Sequence, residues 1–153
     1  MEENSISVKR AEFADIPSIV NLENKIWPEG TRAPLEKFEK RLSIFPEGFF
    51  LAFNNLDLIG VSTSQIILYS EDNSLTSWEK ITDNGFIERT HNAGGNALYV
   101  VSLGAISRSG GGSALITRQK RLVGELGLKF LILGSRIPCY EEYCRNVGEI
   151  PIE

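Results

Sequence analysis

The sequence predicts one domain of mixed α/β class, its sheet combining an antiparallel hairpin with a parallel βαβ crossover. Three observations carry this. Residues 48–69 hold two strand-like runs on either side of NNLD, a hairpin turn signal. Residues 97–134 read as apolar strand, helix, apolar strand, a unit that sets its strands parallel with the helix on one face. The length of 153 residues, with 42% hydrophobic and 24% charged, fits a single globular domain over 1–153 that buries a substantial core.

Each element has a local reason. Ile6, Val8 and Arg10 alternate with polar residues, so 5–10 is a short strand. Asp15 is a natural N-cap before Ile16, Ile19, Val20 and Ile26, an apolar helix face interrupted by Glu23, and Pro17 suits the first turn. A solvated edge accounts for Glu23 on that face. WPEGTRAP breaks the helix. Leu35, Phe38, Leu42 and Phe45 then recur at helical spacing, giving a second helix over 34–44. After the hairpin, residues 71–96 are polar, with Trp78, Ile81 and Phe86 as apolar anchors and a short helix at 76–82. ALYVVSLGAI, from Ala97, is apolar almost throughout, the pattern of a strand buried on both faces. Leu115, Ile116, Gln119, Leu122, Val123 and Leu126 share one face of a helix over 111–126, with Gly127 as its cap. KFLILG is a second fully buried strand, and 138–145 form a short final helix.

The bulk numbers exclude several function classes. A net charge of −4 argues against nucleic-acid binding, which wants a surplus of Lys and Arg. No run reaches the roughly 18–20 apolar residues of a membrane span, and the acidic start MEENSISVKR is no secretory signal. Cys139 and Cys144, with one histidine in the chain, match no zinc pattern, so no metal is expected. Two reduced thiols fit a cytoplasmic protein.

The stretch SRSGGG, Ser107 to Gly112, joins the first buried strand to its helix. The first N–H groups of a helix lack intrahelical partners, and the helix dipole adds partial positive charge there. Gly110, Gly111 and Gly112 let a ligand approach those donors without interference from a Cβ. An anion, above all a phosphate, is the natural guest. A Walker loop fits poorly, because Ser113 and Ala114 follow where Lys and Ser/Thr are needed; so does a dinucleotide fingerprint, whose third glycine would fall at Leu115.

LYVVSLGAISRSGGGSALI, then a helix, KFLILG and the aromatic CYEEYCRNVG, resembles the acetyl-coenzyme A motif of the GNAT superfamily of N-acetyltransferases. That motif is a strand ending in a bulge, then Gln/Arg-x-x-Gly-x-Gly/Ala and a helix. Element order agrees over 5–148, and the specific part is 100–116. Two registers fit. Gly110 and Gly112 as the motif glycines put Ser107 at the Gln/Arg position; Arg108 at that position makes Gly111 and Ser113 the small residues. The resemblance implies a mostly antiparallel sheet with helices on both faces, the acyl-CoA N-acyltransferase fold, here with its C-terminal strands short or missing.

It also implies a function: acetyl transfer from acetyl-CoA to a primary amine by direct attack, with no metal. Ser102, Leu103, Gly104 and Ala105 would pair with the pantetheine arm as an added strand. Arg108, Ser109, Gly110, Gly111, Gly112, Ser113 and Ala114 would hold the pyrophosphate. Tyr143, with Tyr140 second, would protonate the departing thiolate. Glu23, Glu88 and His91 are candidate bases, and Trp27, Glu29 and His91, with Arg32 and Trp78, would line the acceptor site. No feature selects a small-molecule over a peptide acceptor. A short C-terminus leaves a sheet edge that favours association as a homodimer. The alternative is a non-catalytic coenzyme A-binding regulatory module of the same fold.

Overall fold

The computed structural model describes residues 5–72 and 76–134. Within them one sheet runs in chain order: β1 (Ile6–Arg10), β2 (Phe50–Asn54), β3 (Asp57–Ile67), β4 (Ala97–Ala105) and β5 (Phe130–Leu133). The pairs are antiparallel up to β4, and β4–β5 is parallel. The mixed, mostly antiparallel sheet is therefore as expected. The helices are α1 (Ile16–Ile26), α2 (Leu35–Ile44), α3 (Trp78–Ile81) and α4 (Gly111–Glu125).

Alternation along β2 decides which helices cover which face. Phe50 and Ala52 join Ile59, Val101, Leu115 and Leu122 in a core under α4. Phe49 and Leu51 join Ile19, Leu22, Phe38, Leu42 and Val61 in a second core under α1 and α2. Adjacent strand residues point to opposite faces, so one apolar run serves both layers. Each of the Val, Leu, Ile and Phe side chains contributes about 1.5–3 kcal/mol on burial. The β2–β3 turn is Asn55–Leu56, with Asn55 at φ 54°, a conformation asparagine tolerates.

Several expectations change in three dimensions. Asp15 stands before α1, but its carboxylate accepts the Glu12 N–H at 2.8 Å and caps the short 3-10 turn Phe13–Asp15 instead of the helix. Leu35 is exposed, and Arg41 takes a place on the buried face of α2. β5 is half-buried and not fully buried. It borders the described sheet, whereas β4 has a strand on either side. Ser62, Thr63, Ser64 and Gln65 form a polar run buried in the middle of β3. The run is tolerated because each side chain has a partner: Gln119 Nε2, Arg41 Nη1, Gly48 O and Ile81 O respectively. The final helix expected at 138–145 lies outside the described residues.

Candidate functional site

β4 positions the site. Its pairing with β5 runs from Ala97↔Phe130 to Val100↔Leu133; from Ser102 to Ala105 it pairs only with β3 among the described residues. The register with β3 shifts between Thr63 and Ser64, so Thr63 faces Ser102, Ser64 faces Val100, and Val101 is the extra residue of a bulge. A bulge bends its strand and disturbs the ladder locally. The Val101 carbonyl is satisfied from outside the sheet, by Trp78 Nε1 at 2.8 Å. Ser102 and Gly104 point to the α1/α2 face. A Cβ on Gly104 would lie 3.0 Å from Trp27 Nε1, so Trp27, at the end of α1, rests directly on the strand. Two residues expected at the site from separate parts of the sequence thus meet.

The turn from β4 into α4 contains two left-handed residues, Arg108 at φ 60° and Gly110 at φ 83°. Gly111 N–H donates to Ser109 Oγ at 3.2 Å, and Ala114 N–H to Gly110 O. The N–H groups of Gly110, Gly112 and Ser113 have no acceptor among the described residues. The glycines differ in what the fold asks of them. A Cβ at Gly110 would meet Ile6 Cδ1 at 2.7 Å on top of its positive φ. One at Gly111 would press on Ile59 at 3.3 Å. One at Gly112 would meet only ordinary contacts at 3.9 Å, Ala105 Cβ and Leu103 Cδ2. Packing explains the first two glycines and leaves Gly112 unexplained.

Behind β4 lies a charged, buried cluster. Arg41 is 2% exposed and its Nε donates to Gly85 O at 2.6 Å. Its Nη1 donates to Thr63 Oγ1 at 3.3 Å and Ser102 Oγ at 3.1 Å, and those oxygens are 2.9 Å apart. Burial pulls its pKa down to about 10, while Glu23 pulls the other way. Glu23 is 4% exposed, so the reading of it as a solvated edge is corrected. Its Oε1 accepts the Ala33 N–H at 2.9 Å and ties α1 to the loop before α2. Desolvation raises its pKa, against the lowering effects of that hydrogen bond and of Arg41.

Other expected residues fall elsewhere. His91 Nδ1 accepts the Ile66 N–H at 3.1 Å, and its ring stacks on Phe45 with centroids 4.6 Å apart. Ile66 pairs with Leu98, six residues along β4 from Gly104, about 20 Å at strand rise. The structure does not bring His91 to Trp27 and Gly104; the imidazole caps a part of β3 that lies beyond β2. Burial lowers its pKa, with Glu47 acting against. Glu88 pairs with Lys40 at 3.2 Å on the surface. Glu29 and Arg32 are exposed in the loop after Trp27, Arg32 holding the Trp27 carbonyl at 2.8 Å. Tyr140 and Tyr143 lie outside the described residues. Arg41 and Thr63 are additions that sequence reading missed. Their signals were present: a cation three residues after Phe38 on an apolar helix face, and hydroxyls inside a buried strand.

No family model matches the chain. Two curated proteins of Bacillus subtilis (strain 168) are similar. One, the probable hydrolase YhcX, is 30% identical over 148 residues, covering 95% of this chain and 29% of that protein. The other, the uncharacterized N-acetyltransferase YkwB, is 27% identical over 153 residues, covering 95% of this chain and 67% of that protein. This chain therefore spans less than a third of YhcX. Among solved structures, the loading GNATL domain of CurA from Lyngbya majuscula superposes with TM-score 0.76 at 16% identity, over 92% of this chain and 69% of that one. The GphF GNAT-like decarboxylase bound to isobutyryl-CoA gives 0.68 at 19% identity, over 95% and 78%. AAC(6')-Iy bound to the bisubstrate analogue CoA-S-monomethyl-acetylneamine gives 0.61 at 12% identity, over 97% and 93%.

Proposed function

We propose that this chain, which carries the GNAT fold, is an N-acyltransferase that moves an acetyl group from acetyl-CoA to a primary amine. The observation that carries the proposal is the start of α4. Gly112 has no side chain although the fold leaves room for one, and its N–H and that of Ser113 lack acceptors among the described residues. The same glycine looks onto Leu103 and Ala105 of β4. A pyrophosphate fits there, held by N–H groups and the helix dipole, with the pantetheine arm along 102–105. Likeness to a protein named as an N-acetyltransferase supports acyl transfer. Coenzyme A derivatives bound by structures of the same fold support that class of donor.

In this reading the residues divide the work. Gly110, Gly112 and Ser113 donate to the diphosphate, and Arg108 adds charge beside it. Trp27 packs against Gly104 and forms a wall of the acceptor site, with Glu29 at its rim. The attacking amine must be neutral. Of the three candidate bases, Glu23 is the buried one, one helical turn before Trp27, and its raised pKa suits proton uptake. Tyr143, with Tyr140 as second choice, supplies the proton to the departing thiolate.

Calorimetry with acetyl-CoA and coenzyme A tests the donor: no binding at millimolar ligand would sink the proposal. Thiol release across a panel of small amines and peptide N-termini tests the reaction. Binding without turnover on any amine would instead favour a regulatory coenzyme A-binding module. Tyr143→Phe should lower the rate at least tenfold with unchanged acetyl-CoA affinity, in line with the roughly 10²–10⁴-fold typical of acid–base groups.

A further inference from the structure

The cluster behind β4 has one satisfactory hydrogen-bond direction. A guanidinium has donors and no acceptor, and with a pKa of about 10 Arg41 stays charged at neutral pH. Its Nη1 therefore donates to both Thr63 Oγ1 and Ser102 Oγ. Between the two hydroxyls, 2.9 Å apart, one proton is shared. If Ser102 donated to Thr63, the Thr63 proton would need another acceptor. Thr63 is 1% exposed, and its hydroxyl has no further partner among the described residues. That proton would be buried and orphaned, which is costly. The opposite direction orphans nothing. Thr63 donates to Ser102, Ser102 Oγ accepts from Thr63 and Arg41, and the Ser102 proton is the one directed out of the cluster. Ser102 is half-buried and stands two residues past the last β4–β5 pair.

The loop that clamps Arg41 is strained. Asp83, Asn84 and Ile87 have φ of 54°, 55° and 52°, and Gly85, whose carbonyl holds Arg41 Nε, has 86°. A buried β-branched residue at positive φ persists only where its surroundings over-determine it, and such strain gathers at functional sites. An apolar residue at 41 would have completed the face that Phe38 and Leu42 begin.

We propose that the Ser102 hydroxyl, held as an outward donor by Arg41 and Thr63, hydrogen-bonds the carbonyl oxygen of an acyl thioester lying along β4. This rests on the acyltransferase reading above. When the amine nitrogen attacks the thioester carbon, a C–N bond forms and the C=O π pair moves onto oxygen. Ser102 O–H faces that developing charge, strengthened as a donor by the two bonds its oxygen accepts, with no reorganisation needed. The pair returns as the C–S bond breaks. The nitrogen gives up one proton, the thiolate takes up one, and Ser102 ends unchanged.

The test is isotope-edited infrared spectroscopy of acetyl-CoA labelled with carbon-13 at the thioester carbonyl, bound to the full chain, with calorimetry of acetyl-CoA and coenzyme A. The bound carbonyl band should move to lower wavenumber than in buffer. Ser102→Ala should reverse most of that shift and weaken acetyl-CoA about tenfold, the loss of one hydrogen bond, leaving coenzyme A affinity unchanged. Ser102→Thr should restore the shift, and Thr63→Val should give an intermediate one. If Ser102→Ala loses its thermal transition, Thr63→Val carries the same comparison. An unmoved band in Ser102→Ala, with both ligands still bound, overturns this inference alone. Failure of the wild type to bind either ligand overturns the acyltransferase reading and this inference with it.

Discussion

Gly104 keeps Trp27 against β4 by the absence of one methyl group. Gly104→Ala puts a Cβ 3.0 Å from the indole nitrogen, and is expected to cost about 1–3 kcal/mol by overpacking, read as a lower urea midpoint. Arg41 works differently. Arg41→Met leaves the Gly85 carbonyl and the Thr63 and Ser102 hydroxyls without their guanidinium donor. We expect a loss of about 1–3 kcal/mol, with the same readout. His91 gives a pH dependence. Its pKa is depressed by burial, so the fold prefers the neutral imidazole that accepts from Ile66. The stability it contributes is fully present above the ordinary histidine value and is lost as pH falls from there towards the folded value. Thermal unfolding followed from about pH 7.5 down to about 5 should show this decline below the ordinary value of about 6.5, and His91→Asn, which keeps an acceptor that does not titrate, should flatten it.

At the scale of elements, the start of α4 separates packing from binding. Gly110→Ala meets Ile6 and a positive φ, and should destabilise the fold by at least about 1 kcal/mol. In Gly112→Asp the Cβ meets only ordinary contacts and a carboxylate suits a helix N-terminus, so the unfolding midpoint should barely change, while the carboxylate repels phosphate and acetyl-CoA affinity should fall at least tenfold. Calorimetry on the two variants distinguishes the roles. The boundaries of β4 and α4 were legible because a solid apolar run and a 3.6-residue period sit on either side of the glycines. The bulge at Val101 was not legible inside the strand, since nothing in VVSLGA marks which residue is extra; its register depends on β3, and its carbonyl on Trp78. The half-burial of β5 was equally hidden, because KFLILG has the composition of a central strand and its neighbours decide how much of it is covered.

At the scale of the molecule, one sheet separates two cores. Phe38 lies in the α1/α2 core and Leu122 in the α4 core. Phe38→Leu and Leu122→Ala should therefore destabilise additively, the double variant falling within about 0.5 kcal/mol of the sum in denaturant unfolding; a larger coupling would mean the layers are not independent. No helix among the described residues is long and apolar enough to cross a membrane. The sequence by itself determined the element types and their order, the mixed sheet, and the glycine corner. Those follow from periodicity, glycine backbone freedom and turn chemistry, which act over a few residues. The tertiary structure alone decided that Glu23 is buried, that His91 caps β3 far from Gly104, and that Arg41 reaches Ser102 across 61 positions of chain. Such contacts depend on which faces the sheet brings together, and a guanidinium beside Phe38 reads as a surface residue until the loop at Gly85 closes over it.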